Sequence, residues 1–231
     1  EILFWDEPAG NLPWQVSTGR PIGSELYYNS RGVFRDQAQV DATTAKWPGA
    51  RPGDIIFEDV NGDGEITTDD RVRQEKSEFP RFMGGLNLGV TYKMIEFTAL
   101  IQTGTGSVQY LQTPSGEFGN YTQEFADDRW TSENPSSEKP RAYNREDQYW
   151  IYSRNTYFLR STDYVRLKNI RLAYNLPQGL LDKAGLKYAQ VYVSGLNLIT
   201  IDSYKIFDPE ITSQSGSSYP QRKLVNLGIN V

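Results

Sequence analysis

The chain has 231 residues, with 24 Lys and Arg against 29 Asp and Glu, and neither Cys nor His. A net charge of −5 argues against a phosphate-tracking nucleic-acid surface, which needs a clustered basic excess. Disulfide frameworks, zinc knuckles, Ser-His-Asp triads and thiol nucleophiles are excluded outright.

Hydrophobic residues make up only 38% of the chain, yet aromatics reach 13%. No apolar run approaches the roughly 18 residues of a transmembrane helix. A Tyr-rich, Gly-rich chain of this kind reads as all-β with much polar loop. Secreted sandwiches and outer-membrane barrels both fit. The chain opens at Glu1 without a signal-type leader and stops inside an alternating strand, so it is expected to be a piece of a larger protein.

In chain order, residues 1–80 are mostly loop, punctuated by Pro8, Pro13, Pro21, Pro48 and Pro52. From Phe82 the pattern changes. Leu86, Leu88, Val90 and Tyr92 alternate with Gly85, Asn87, Gly89 and Thr91, the period of a strand. Phe97, Ala99 and Ile101 alternate with Glu96, Thr98 and Gln102, and Lys93-Met94 is the tight turn between the two runs. A polar segment, 104–154, holds a helix candidate at Thr122–Trp130. Ile170, Leu172, Tyr174 and Leu176 then face away from Lys168, Arg171 and Asn175, with a phase slip near Lys168-Asn169 that predicts a bulge. Pro177 ends that strand, and Gly179–Gly185 is a short amphipathic turn. Tyr188–Ile201 is strand-like, with ambiguous phase at Ser194-Gly195. After a polar loop, 202–221, the residues Val225, Leu227, Ile229 and Val231 alternate cleanly with Leu224, Asn226, Gly228 and Asn230.

The strands come as hairpins with little helix between them, which favours antiparallel sheet. Short turns alternate with long loops, as in an outer-membrane barrel. The predicted fold class is therefore all-β, a segment of an antiparallel transmembrane β-barrel with long extracellular loops. Leu86, Leu88, Val90, Phe97, Ile101, Leu172, Tyr174, Val225, Leu227 and Ile229 are expected to face lipid. The alternative is a secreted, calcium-stabilised β-sandwich that binds carbohydrate, with Val225, Leu227, Ile229 and Val231 in its core.

The sharpest local motif is the run from Asp59 to Asp70. Asp59, Asn61 and Asp63 stand at loop positions one, three and five, Gly64 at the sharp turn, Glu65 at seven with its backbone carbonyl, and Asp70 at twelve. Hard oxygen donors at this spacing suit a structural Ca²⁺. The bland reading is an Asp-Gly-rich turn without metal. The other carboxylates read as solvated charge, so no enzymatic role is expected. Arg160, Arg166, Lys168 and Arg171 form a basic cluster, best placed on a polar barrel lumen. Exposed aromatics mostly pack loops or form membrane girdles, with Trp47, Tyr149 and Trp150 as candidates for ligand or partner contact.

Several ordered stretches resemble a known family: Pro52-Gly53-Asp54-Ile55, the Asp59–Asp70 loop, Pro80-Arg81-Phe82-Met83-Gly84-Gly85-Leu86, and Asp128-Arg129-Trp130-Thr131-Ser132-Glu133-Asn134-Pro135. Pro140-Arg141, Tyr164–Ile170, Tyr174-Asn175-Leu176-Pro177, Val191–Leu198, Asp208-Pro209-Glu210 and Tyr219-Pro220 continue the series. The chain resembles the C-terminal part of SusC/RagA-like TonB-dependent outer-membrane transporters of Bacteroidetes. The resemblance implies a barrel of about 22 strands, with the plug domain and earlier strands outside this chain. It implies import of oligosaccharides or peptides across the cell outer membrane, a SusD-like surface lipoprotein as partner, contact with outer-membrane lipid, and energy from the TonB complex.

Overall fold

The computed structural model describes residues 1–111, 123–142, 154–211, 219 and 221–231. Among these residues the strands are β1 (Leu26–Tyr28), β2 (Ser30–Val33), β3 (Ile55–Phe57), β4 (Arg71–Arg73), β5 (Phe82–Tyr92) and β6 (Ile95–Thr105). They continue with β7 (Val108–Tyr110), β8 (Leu159–Ser161), β9 (Tyr164–Asn175), β10 (Gln190–Asp202) and β11 (Leu224–Asn230). Among the described residues three short α-helices, α1 (Gln37–Ala42), α2 (Gln123–Ala126) and α3 (Gln178–Ala184), accompany them. No helix among the described residues is long and apolar enough to cross a membrane.

Two units divide the chain. One holds Pro80–Ser107, Thr162–Ile211 and the C-terminal strand. It is a single five-stranded sheet in the order β11-β10-β9-β6-β5, antiparallel throughout. Strands β5 and β6 are 11 residues each, β9 is 12 and β10 is 13. At a rise of about 3.3 Å per residue a tilted strand of that length crosses a bilayer.

The register sorts every side chain to one of two faces. Leu86 pairs with Ile101, Leu88 with Ala99 and Val90 with Phe97. Phe97 pairs in turn with Leu172, Leu172 with Val193 and Val193 with Leu227. Directly paired residues share a face, so one face is apolar across all five strands. The opposite face carries Asn87, Thr91, Glu96, Gln102, Arg166, Arg171, Asn175, Gln190, Ser194, Thr200, Asn226 and Asn230. The apolar face is uncovered: Leu172, in the middle of the sheet, is 48% exposed, and Val225, Leu227 and Ile229 are 69, 81 and 66% exposed. Phe97 and Ile101 are half-buried on that same face. A sandwich core does not leave these residues open, so the sandwich reading fails.

The Lys93-Met94 turn lies where the alternation places it, with Lys93 at a φ of 54°. The bulge falls where the phase slips: Asn169 pairs with Leu100 and Leu167 with Ile101, leaving Lys168 extra. On β10 the shift falls at Asn197-Leu198, three residues beyond the ambiguity at Ser194-Gly195. Gly195 mimicked a break, but it is glycine because the Leu198 side chain lies over it. Helix α3 ends as its sequence dictates. Gly185 takes a φ of 68°, and the Leu186 amide reaches back to the Leu181 carbonyl at 3.0 Å.

The other unit contains Glu1–Phe79 and Val108–Ser161. It is built on three two-stranded antiparallel pairs, β1-β4, β2-β3 and β7-β8, around Tyr27, Tyr28, Val33, Phe34, Val40, Ile55, Phe57, Tyr110, Leu111 and Phe158. Burial pushes the Tyr27 phenol far above its ordinary range, and the Glu25 carboxylate that accepts its hydroxyl at 2.9 Å adds to the effect. Helix α1 lies in a region whose composition reads as loop. Asp36 caps it by accepting the Gln39 amide at 2.8 Å, and Val40 anchors it. The Asp36-x-x-Gln39 start signal was the available clue. The expected helix Thr122–Trp130 is shorter in the structure. It ends at Ala126, before Asp128 turns to a φ of 56°, and the Lys139 amine binds the Glu124 and Asp127 carbonyls at 3.1 and 2.8 Å.

Candidate functional site

Three constellations carry the chemistry of the chain. The first is the acidic loop. Asp59 accepts the amides of Gly62 (2.7 Å) and Gly64 (2.9 Å), and Asp63 accepts that of Glu65 (2.8 Å). Asn61 donates to Asp63 at 2.7 Å. Asp70, fully buried, accepts the amides of Val60 (2.8 Å) and Thr67 (2.7 Å) and so closes the loop across its whole length. Ile66 is buried as the anchor.

The donor set fits a hard cation in type: three carboxylates, the Asn61 amide oxygen and the Glu65 carbonyl. Among the described residues no cationic side chain pairs with Asp59, Asp63 or Asp70. A buried carboxylate without a counter-charge is costly, which is the reason a cation suits this loop. Among the same residues no cluster of three acidic side chains is placed to hold an ion. Backbone amides stabilise the carboxylates in this conformation.

The second constellation lies on the polar face of the sheet. Glu210 receives five donors. Arg166 pairs with it, and Gln221 (2.8 Å), Lys168 (3.0 Å), Tyr164 (3.1 Å) and Gln102 (3.2 Å) complete the set. Arg166 also binds Asp208 at 2.8 Å and Thr200 at 3.0 Å. Further along the same face Glu96 accepts Asn175 (2.7 Å) and Gln190 (3.1 Å), while Arg171 donates to Gln190 and lies 4.5 Å from the Tyr192 ring centroid. Tyr192 in turn lies across Gly228, where any Cβ would overlap the ring.

The third is a knot within the loop unit. Arg141 and Asp54 form a buried ion pair at 2.7 Å. Gly53, at a φ of 88°, runs beneath Trp130, and a Cβ there would sit 2.7 Å from the indole. Trp130 donates to the Arg35 carbonyl at 2.9 Å, and the Arg141 amide to that of Gly53 at 2.8 Å. Motif residues far apart in sequence thus converge on one fastening.

The expected basic cluster is divided by the structure. Arg166, Lys168 and Arg171 belong to the sheet, and Arg166 and Arg171 are on its polar face as expected. Arg160 belongs to the loop unit, where it pairs with Glu124 at 3.5 Å and stacks on Tyr157 and Phe125. Trp47 packs edge-on against Tyr28 and Phe57, with ring centroids 5.5 and 6.1 Å away. Tyr149 and Trp150 lie outside the described residues. The Glu210 hub was missed as a site. Tyr164, Arg166, Lys168, Asp208 and Glu210 stood among the motif stretches and Gln102 and Gln221 did not, and nothing local to Glu210 signals partners 44 and 108 positions away.

No family model matches the chain. Two TonB-dependent receptors of Formosa agariphila are each 33% identical to it, over 99% of this chain and 24 and 23% of their own length. The chain thus spans about a quarter of these relatives. Among solved structures, the RagAB peptide transporter matches with a TM-score of 0.61 at 23% identity, and the RagAB peptide importer in its open-open state with 0.62 at 23%. Each match covers 89% of this chain and 22% of the solved one. The chain is therefore homologous along nearly all its length to a quarter of a TonB-dependent receptor, and its five-stranded sheet is a segment of a transmembrane β-barrel of that kind.

Proposed function

We propose that this chain is the C-terminal part of a TonB-dependent outer-membrane transporter that imports oligosaccharides or peptides together with a SusD-like surface lipoprotein. The observation that carries this reading is the sheet with one open apolar face for lipid and one ion-paired polar face for the lumen. The relatives are named receptors and the solved structures a peptide transporter and importer, in keeping with a non-enzymatic role. Deleting the whole gene should abolish uptake of one class of oligomer, and complementation should restore it. Normal growth of the deletion strain on every glycan and peptide source tested would sink the reading.

In this proposal the long connections face outside and the short turns face the periplasm. Single Cys substitutions suit the Cys-free background. A membrane-impermeant maleimide on intact cells should label Thr68→Cys and leave Lys183→Cys unlabelled; the reverse pattern overturns the orientation.

We also assign a structural Ca²⁺ to the acidic loop, with Asp59, Asn61, Asp63 and Asp70 as side-chain ligands and Glu65 through its carbonyl. Calcium should slow proteolysis within residues 59–70 of the transporter several-fold, in line with stabilisation by a ligand bound only to the folded loop. Chelator should remove that protection, and Asp59→Ala with Asp63→Ala should abolish it without disturbing barrel assembly. Equal protection of the unaltered protein with calcium and with chelator would rule the ion out.

A further inference from the structure

The Glu210 hub has the makings of a receptor. Its wall donors stand on paired strands: Gln102 on β6, and Tyr164, Arg166 and the bulged Lys168 on β9. Arg166 is held independently of Glu210, by Thr200 and Asp208. Its guanidinium, with only 2% of the side chain exposed, is therefore pre-aimed. Glu210 sits on the connection after β10, and its side chain retains 19% exposure, with 30% for Lys168. Glu210 and Lys168 are therefore partly open on the polar side of this sheet, and Asp208 holds Arg166 without help from the Glu210 carboxylate.

We propose that Gln102, Tyr164, Arg166 and Lys168 form a carboxylate-binding site on the lumen wall, filled here by the chain's own Glu210 and opened to a carboxylate on the transported solute. The site rests on the transporter reading and deepens it, because it names an acidic substrate. Two cations and two neutral donors suit one carboxylate group, each charge-assisted bond being shorter and stronger than a neutral one. Arg166 supplies a planar donor group, Lys168 a mobile point charge. Glu210, tethered nearby, competes at a high effective concentration. An incoming acid is consequently held weakly, as passage requires, and released when Glu210 returns.

The test uses the purified full-length transporter and saturation-transfer NMR, with a Glu-Glu dipeptide and galacturonate as acidic probes and galactose as the neutral control. Binding is read without any energy supply, so a failure of uptake leaves this result standing and strikes only the functional reading. Saturation should reach at least one acidic probe and not galactose; which acid responds separates an acidic peptide from an acidic glycan. Glu210→Gln removes the competing charge and should tighten acid binding about tenfold, and Lys168→Gln should weaken it by about as much. A fixed structural clamp predicts no gain from Glu210→Gln. Binding that is absent, or equal in the unaltered protein and both variants, overturns the site. Should Glu210→Gln fail to assemble, Lys168→Gln, on a half-exposed side chain, decides the matter.

Discussion

Arg141→Ala is expected to destabilise the loop unit by about 3–5 kcal/mol, the usual cost of breaking a buried pair by removing one partner. Asp54 has no exposed side-chain surface, and Arg141 has 12%. Besides Arg141, Asp54 accepts the Arg51 amide at 3.1 Å, which does not neutralise a buried carboxylate. The damage should spread. The Arg141 amide bonds Gly53, the Gly53 amide bonds the Phe34 carbonyl, and the Phe34 amide bonds that of Asp54. Hydrogen exchange on the full-length protein should show faster exchange across 33–57 and unchanged protection in 82–105. Asp54→Asn with Arg141→Met should recover most of the loss, since it removes both charges together. If the single substitution exchanges like the unaltered protein, the pair is not a fastening.

Leu172→Arg is the second large effect. Leu172 is on the apolar face, flanked by Phe97 on one side and Val193 on the other. An arginine near the middle of the lipid-facing band costs about 2–4 kcal/mol. Asn87→Arg, on the polar face and exposed, should change stability little. Urea titration of the full-length protein folded in lipid vesicles reads both. Equal midpoints for the two variants would contradict the assignment of faces.

These two experiments fall on parts of the chain that were unequally legible. The sheet was readable because alternation is local. Leu86 to Tyr92 declare their face without reference to any partner, and an extra residue such as Lys168 shows as a slip of phase. The loop unit was not readable in this way. Its strands of three or four residues are too short to show a period. They are defined by partners such as Tyr28 with Arg71 and Tyr110 with Leu159, which only the folded chain brings together. Trp47 illustrates the limit for function. An aromatic in a polar stretch reads as a contact surface, and nothing local announces that it also packs on the rings of Tyr28 and Phe57. For the acidic loop, spacing singles out Asp59, Asn61, Asp63 and Asp70 as candidate ligands, and in the structure each accepts backbone amides. Which amides they accept follows from the turns at Gly62 and Gly64, both at positive φ.

The neck of the longest insertion bears on how the sheet assembles. Gly106 donates its amide to Asp163, 57 positions away, at 2.6 Å. The Ser107 and Thr162 hydroxyls meet at 2.7 Å, and Val108 pairs with Ser161. Joining β6 to β9 across a free loop of that length would carry roughly 3 kcal/mol more closure entropy than a two-residue turn. An insertion that has already zipped its own base hands the two strands to each other as a ready-made hairpin. Order of events then matters. If the insertion folds first, the β6-β9 seam forms nearly as fast as the Lys93-Met94 hairpin; if its neck is opened, that seam becomes the slow step of barrel assembly.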